Sequence, residues 1–181
     1  MLEAPDIHSH RCARLPSTVC VFSQIDAGQQ RFFTFDPESG SRMELADAKM
    51  KMDDGPGHNW DLSPDGKYLV MLKWIGPSKE FGLRIFDLAT GGERSIPAKG
   101  PTEGVGTNWA ADSKSVWIGG FIRNGPWGYS GVSNVDLNGR VRTLLEEPNL
   151  SIWAAIPSPD GRHLALVGHT EDSNAWLLEN F

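Results

Sequence analysis

The sequence has no long apolar run. Its apolar stretches stop at five or six residues, far short of the roughly 20 that a helix needs to cross a bilayer, so no membrane insertion is expected. Positive charge is in deficit, with 17 Lys and Arg against 23 Asp and Glu and a net charge of −6. A nucleic-acid partner normally calls for a basic face and is not expected. Cysteine is scarce: Cys12 and Cys20 are too few to make a disulfide framework or to fix the redox compartment. If the segment between them is a hairpin, the thiols face each other across adjacent strands and can oxidise. Two buried thiols is the alternative, and both stay open. Residues Met1 to Ile7 carry neither a charged n-region nor an apolar h-region, so no signal peptide is expected and localisation is left open.

Motifs of catalysis are also missing. There is no Gly-x-Ser-x-Gly, and Gly128-Tyr129-Ser130-Gly131 lacks that spacing. Among Glu103, Glu146, Glu147 and Glu171, nothing singles out two acids as a glycosidase pair. His8 and His10 would share one face of a strand with Cys12 following, an arrangement suited to adventitious metal binding only. Asp53-Asp54-Gly55 lacks EF-hand spacing. No enzyme activity, metal site or cofactor is expected.

What the sequence does have is a phrase that returns. Ser63-Pro64-Asp65-Gly66-Lys67 is followed by Ala110-Ala111-Asp112-Ser113-Lys114 and by Ser158-Pro159-Asp160-Gly161-Arg162, with Asp65, Asp112 and Asp160 spaced by 47 and 48 residues. In counterpoint, Asp36, Asp87 and Asp136 each open a turn that ends in glycine, at spacings of 51 and 49. Pro, Asp, Asn and Gly are the residues that tight turns require. Between the turns lie short β-branched and aromatic runs such as Tyr68 to Leu72, Val116 to Ile118 and Leu164 to Val167. No convincing helical stripe interrupts them.

Two turns per period of about 48 residues predict four-stranded antiparallel units, the blades of a propeller. The expected fold is therefore all-β, a single β-propeller or half-propeller domain over residues 1–181 with four four-stranded antiparallel blades. The blades run at about 8–48, 57–98, 106–146 and 150–181. The last ends on strand c without its outer strand, leaving an edge that must be covered or paired. Residues Leu2 to Ile7 are a short candidate for closing it. Trp60, Trp109 and Trp153 sit at odd offsets before the turn aspartates, which in regular strands puts all three on one face as wedges between blades. In the third unit Ala110-Ala111-Asp112-Ser113 departs from Ser-Pro-Asp-Gly and weakens the turn prediction there.

Ser63-Pro64-Asp65-Gly66-Lys67, the apolar strand after it and Asp87-Leu88-Ala89-Thr90-Gly91 resemble the TolB-type, WD-repeat-like propeller repeat. The resemblance covers nearly the whole chain and is clearest over 57–98 and 150–181. More narrowly, Arg11-Cys12-Ala13-Arg14, Asn108-Trp109-Ala110-Ala111-Asp112 and the closing Asn174 to Phe181 resemble the C-terminal propeller region of bacterial sensory proteins. In those, the propeller follows a winged-helix or a serine/threonine-kinase domain. The resemblance implies a sensory or interaction module with an extracytoplasmic setting. Kinase activity does not carry over, since no Gly-rich phosphate loop, His-Arg-Asp loop or Asp-Phe-Gly is found.

One carboxylate per blade suggests turn caps rather than catalysts, so Asp65, Asp112, Asp160, Asp36, Asp87 and Asp136 are read as structural. The candidate contact surface is the loop rim bearing Trp74, Arg123, Trp127, Tyr129 and His169, residue types that anchor interfaces and stack on sugars. The expected function is a non-catalytic binding or sensory scaffold for a protein, peptide or glycan. One alternative is a self-assembling half-propeller that forms a homodimer or larger homo-oligomer through its open edge. Another is a propeller hydrolase acting on glycan or peptide.

Overall fold

A computed structural model describes residues 7–51, 59–75, 80–98, 103–122, 129–148 and 150–170. These residues form antiparallel sheets, with no helix among them. The first sheet holds β1 (Ile7–Cys12), β2 (Cys20–Asp26), β3 (Gln29–Phe35) and β4 (Arg42–Glu44), and a short β5 (Met50–Lys51) pairs with β3 beyond the expected limit at 48. The second holds β6 (Trp60–Leu62), β7 (Tyr68–Ile75), β8 (Glu80–Asp87) and β9 (Glu93–Pro97). The third holds β10 (Glu103–Trp109), β11 (Ser115–Ile122), β12 (Tyr129–Asp136) and β13 (Val141–Glu147). The fourth contains β14 (Ser151–Pro157) and β15 (Leu164–His169). The segment expected to supply its strand c and end the blade, 174–181, and the candidate closing residues Leu2 to Asp6 lie outside the described residues.

Tight turns make this order local. Gly66 and Gly161 take φ of 73° and 70° in the first turn of their sheets, a region that favours a residue without Cβ. In the third sheet Ser113 adopts the same left-handed φ, 59°. Its N–H still donates to Ala110 O at 3.0 Å, as Gly66 N does to Ser63 O at 2.8 Å. The turn therefore survives without proline or glycine. Ser113 Oγ also accepts from Asp65 N at 3.2 Å, a contact between neighbouring sheets that helps offset the strain.

The sheets stack in chain order through three cores. Trp60, 3% exposed, packs between the first and second sheets, edge-to-face with Phe32 at 5.2 Å. Its Nε1 donates to Ser9 Oγ at 2.8 Å and Ser23 Oγ at 3.0 Å, so the buried indole N–H is satisfied. Buried Arg84 also crosses this boundary, pairing with Glu93 and donating to the carbonyls of Lys49 and Asp47. Trp109 fills the second interface beside Val70, Leu72 and Ile85, stacked over Tyr68 at 6.1 Å.

Trp153 departs from the expected pattern. The β14–β15 register shifts between Ile152 and Ala154, and the extra residue of that bulge breaks the two-residue alternation. Ile152 and Ala155 enter the third core instead, while Trp153 is 50% exposed. The backbone of β14 lies directly on two glycines. A Cβ on Gly106 would sit 2.2 Å from Trp153 O, and one on Gly119 would sit 3.0 Å from Ala154 N.

Candidate functional site

The repeated carboxylates accept hydrogen bonds from their own turns. Asp36 Oδ1 accepts from Glu38 N at 2.8 Å, Asp87 Oδ1 from Ala89 N and Thr90 N at 2.9 Å, and Asp136 Oδ1 from Asn138 N and Arg140 N at 2.9 Å. At the other turns, Asp65 Oδ1 accepts from Ser63 Oγ at 2.7 Å, Asp112 Oδ1 from Lys114 N at 3.0 Å and Asp160 Oδ1 from Arg162 N at 3.1 Å. Donors aimed at a carboxylate favour its charged form. The Ser39 hydroxyl thus lowers the pKa of Asp36, the Thr90 N–H that of Asp87, the Arg140 N–H that of Asp136 and the Ser158 hydroxyl that of Asp160.

Of the rim residues, Trp74 stands at the end of β7, half-buried against the core between the second and third sheets and edge-to-face with Phe81 at 6.4 Å. Arg123 and Trp127 lie outside the described residues, and Tyr129 is described only by its backbone, paired with Ile122. His169 ends β15 and meets the half-exposed Trp153 edge-to-face at 5.1 Å. Ser151 pairs with His169, so the start of β14 and the end of β15 lie side by side. Strand parity alone places Trp153 inside, so nothing in the sequence marks it as a surface residue.

A second cluster, on the first strands of three consecutive sheets, carries no repeat signal at all. Asp61 of β6 lies with its side chain 13% exposed, 3.3 Å from Arg11 Nε of β1. Its Oδ2 accepts from the backbone N–H of Trp109 in β10 at 2.8 Å. Burial pushes its pKa up to about 6, against the opposing effects of the Trp109 N–H and the Arg11 charge. Arg11 also lies over the Trp60 ring at 5.8 Å. One carboxyl thereby joins three consecutive sheets. No group of three or more metal-ligating side chains occurs among the described residues.

Next to Arg11 in β1 the thiol question is answered. Cys12 and Cys20 pair directly across β1 and β2 and form a disulfide. That bridge helps to line a groove of about 730 Å³ with Leu15, Phe35, Asp36 and Arg42.

No family model and no curated protein matches the chain. Solved structures do. TolB from Acinetobacter baumannii superposes with a TM-score of 0.66 at 18% identity, over 92% of this chain and 39% of that one. The fold is a TolB-like β-propeller or half-propeller. An oligogalacturonate lyase from Vibrio parahaemolyticus gives 0.60 at 13% identity, over 85% of this chain and 43% of that one. The β-propeller domain of the Trilobed protease from Pyrococcus furiosus gives 0.50 at 18% identity, over 81% and 45%. The chain spans less than half the length of each. At these identities the likeness is one of fold alone, and folds of this kind host unrelated activities.

Proposed function

We propose that the chain is a non-catalytic binding or sensory scaffold that presents its rim to a protein, peptide or glycan partner. The observation that carries this reading is the Trp153–His169 pair. A large indole, 50% exposed yet held edge-on by an imidazole at 5.1 Å, is the kind of rigid, amphipathic group that anchors interfaces and stacks on sugar rings. Trp74, Arg123, Trp127 and Tyr129 complete the set of proposed contact residues. The resemblance to sensory proteins supports the sensory role, and the Cys12–Cys20 disulfide suits an oxidising, extracytoplasmic setting.

The test is a peptide and glycan array read with the labelled chain, followed by Trp153→Ala and by the Arg123→Ala/Trp127→Ala double variant on each hit. Weakening by about tenfold or more is expected for ligands anchored at the rim. Unchanged binding of every hit by both variants removes the rim from consideration.

A second reading, self-association into a homo-oligomer, is favoured by Ile156 and Val167. These are 45% and 49% exposed on the same sheet as Trp153, and such apolar surface invites a partner. Light scattering at micromolar concentration decides it: a strict monomer, unchanged by Val167→Glu, rejects the assembly.

A further inference from the structure

Between the second and third sheets the blade repeat also changes in a way that turn chemistry does not explain. In the second sheet, Val70 of β7 and Ile85 of β8 lie side by side in the pairing and are sealed beneath the third sheet, 0% and 1% exposed. The corresponding pair in the third sheet is Trp117 and Asn134, and Asn134 in turn pairs with Arg142 of β13. Here the junction with the fourth sheet opens into a cleft of about 550 Å³, a size ordinary for a ligand site. Trp117, Asn134, Arg142 and Leu144 line it from the third sheet, and Arg162 and Leu164 from the fourth.

Its chemistry is mixed and unspent. Neither Arg142 nor Arg162 enters an ion pair through its guanidinium among the described residues. Asn134 is fixed by donating from Nδ2 to Ser115 Oγ at 2.9 Å. Asp112 and Asp160 also line the cleft. Each uses Oδ1 on its own turn, which leaves Oδ2 as an acceptor. Leu144, 53% exposed, and half-buried Trp117 and Leu164 supply apolar wall. Planar guanidinium groups match carboxylates in a two-pronged fashion. Two free acceptors beside them repel a polyanion but suit backbone N–H groups or a neighbouring cation.

We propose that the cleft between the third and fourth sheets binds an extended peptide of mixed character, whose carboxylates pair with Arg142 and Arg162 while an apolar side chain between them packs on Trp117, Leu144 and Leu164. The balance of two guanidiniums against two carboxylates selects such a peptide over a phosphate or nucleic-acid ligand. The site lies at the turn end of the sheets, away from the Trp153–His169 rim, and does not depend on it.

Fluorescence anisotropy with a fluorescein-labelled octapeptide, in which two glutamates flank a leucine, tests the assignment. The expected result is saturable binding, weakened about tenfold by Arg142→Ala and by Arg162→Ala, and similarly weakened when the glutamates are replaced by glutamines. Inorganic phosphate at matched ionic strength should not displace the peptide, and Trp153→Ala should leave binding intact. Absence of saturable binding, equal binding of the glutamine peptide, or displacement by phosphate overturns the proposal. So does a peptide lost with Trp153→Ala but kept by the arginine variants, which would put it on the rim. Should an alanine variant fail to fold, Arg142→Lys and Arg162→Lys keep the charge but not the fork. Binding at full strength in both of these would equally overturn the assignment.

Discussion

Arg14 Nη1 donates to the carbonyl oxygen of Pro159 at 2.8 Å, across 145 residues of chain. The backbone N–H of the same residue donates to Pro64 O at 2.8 Å. One arginine thus touches the turns of the second and fourth sheets from the first, holding the two ends of the described arc together on the turn side. Because the side-chain contact is exposed, Arg14→Ala should cost about 1 kcal/mol or less. Faster hydrogen exchange in residues 158–163, with little change in the second sheet, is the expected signature. Unchanged exchange there would show that the contact does not restrain the fourth sheet.

Asp61 gives the molecule an unusual pH dependence. Its folded pKa of about 6 lies above the ordinary value of 3.8, so the protonated form is favoured by folding. Its contribution is full below about pH 4 and is lost as pH rises through 6, by about 3 kcal/mol in all. Asp61→Asn should flatten urea-denaturation stability between pH 4 and 7. Arg11→Met removes the cation that opposes the shift and should move the window upward. A wild-type profile that is flat or rises across that range contradicts the assignment.

The turn carboxylates act in the opposite sense. Asp36, Asp87, Asp136 and Asp160 all have lowered pKa values. The stability they supply is present above the ordinary aspartate range and is lost as pH falls below it. Replacing Asp87 with Ala should therefore shrink the acid limb of the profile below pH 4 and leave the Asp61 limb untouched.

Gly106→Ala places a methyl group against Trp153 O, where the built Cβ lies 2.2 Å away. Backbone cannot yield as a flexible side chain does, and overpacking of this kind costs about 1–3 kcal/mol. The third and fourth sheets should loosen while the core around Trp60 persists, seen as increased exchange in β14 with protection retained in β7.

Cys12 and Cys20 close a loop with a sequence separation of 8, for which the chain-entropy account gives about 2–3 kcal/mol of stabilisation. The Cys12→Ser/Cys20→Ser double variant, and the wild type under reductant, should lose that amount in chemical denaturation. Equal stability with and without reductant, with free thiols verified by mass, would show the bridge to be energetically idle.

The turns were legible in the sequence because their chemistry is local. Asp36 reaches an N–H two residues ahead, and so do Asp87, Asp112 and Asp160, so spacing and residue type are enough to place them. Even the irregular Ala110-Ala111-Asp112-Ser113 turn keeps its backbone bond, since a neighbouring sheet supports Ser113. The all-β propeller architecture follows from those turns and the apolar runs between them. Among the proposed contact residues, the sequence suggests His169 but not its neighbour Trp153: a one-residue bulge reverses the face of every position it displaces, and no residue type announces it.

By itself the sequence determined where the chain turns, how often it does so, and hence that it stacks blades of antiparallel strands. Only the tertiary structure decided that Asp61 would be buried between Arg11 and Trp109, that Arg14 would reach Pro159, and that Cys12 would bond Cys20. It also decided that the Trp117–Asn134–Arg142 row would open into a cleft where its counterpart Val70–Ile85 is sealed. Turns are written over a few neighbouring residues, whereas burial, charge pairing and clefts arise where strands far apart in sequence meet, and their energies depend on what each side finds opposite.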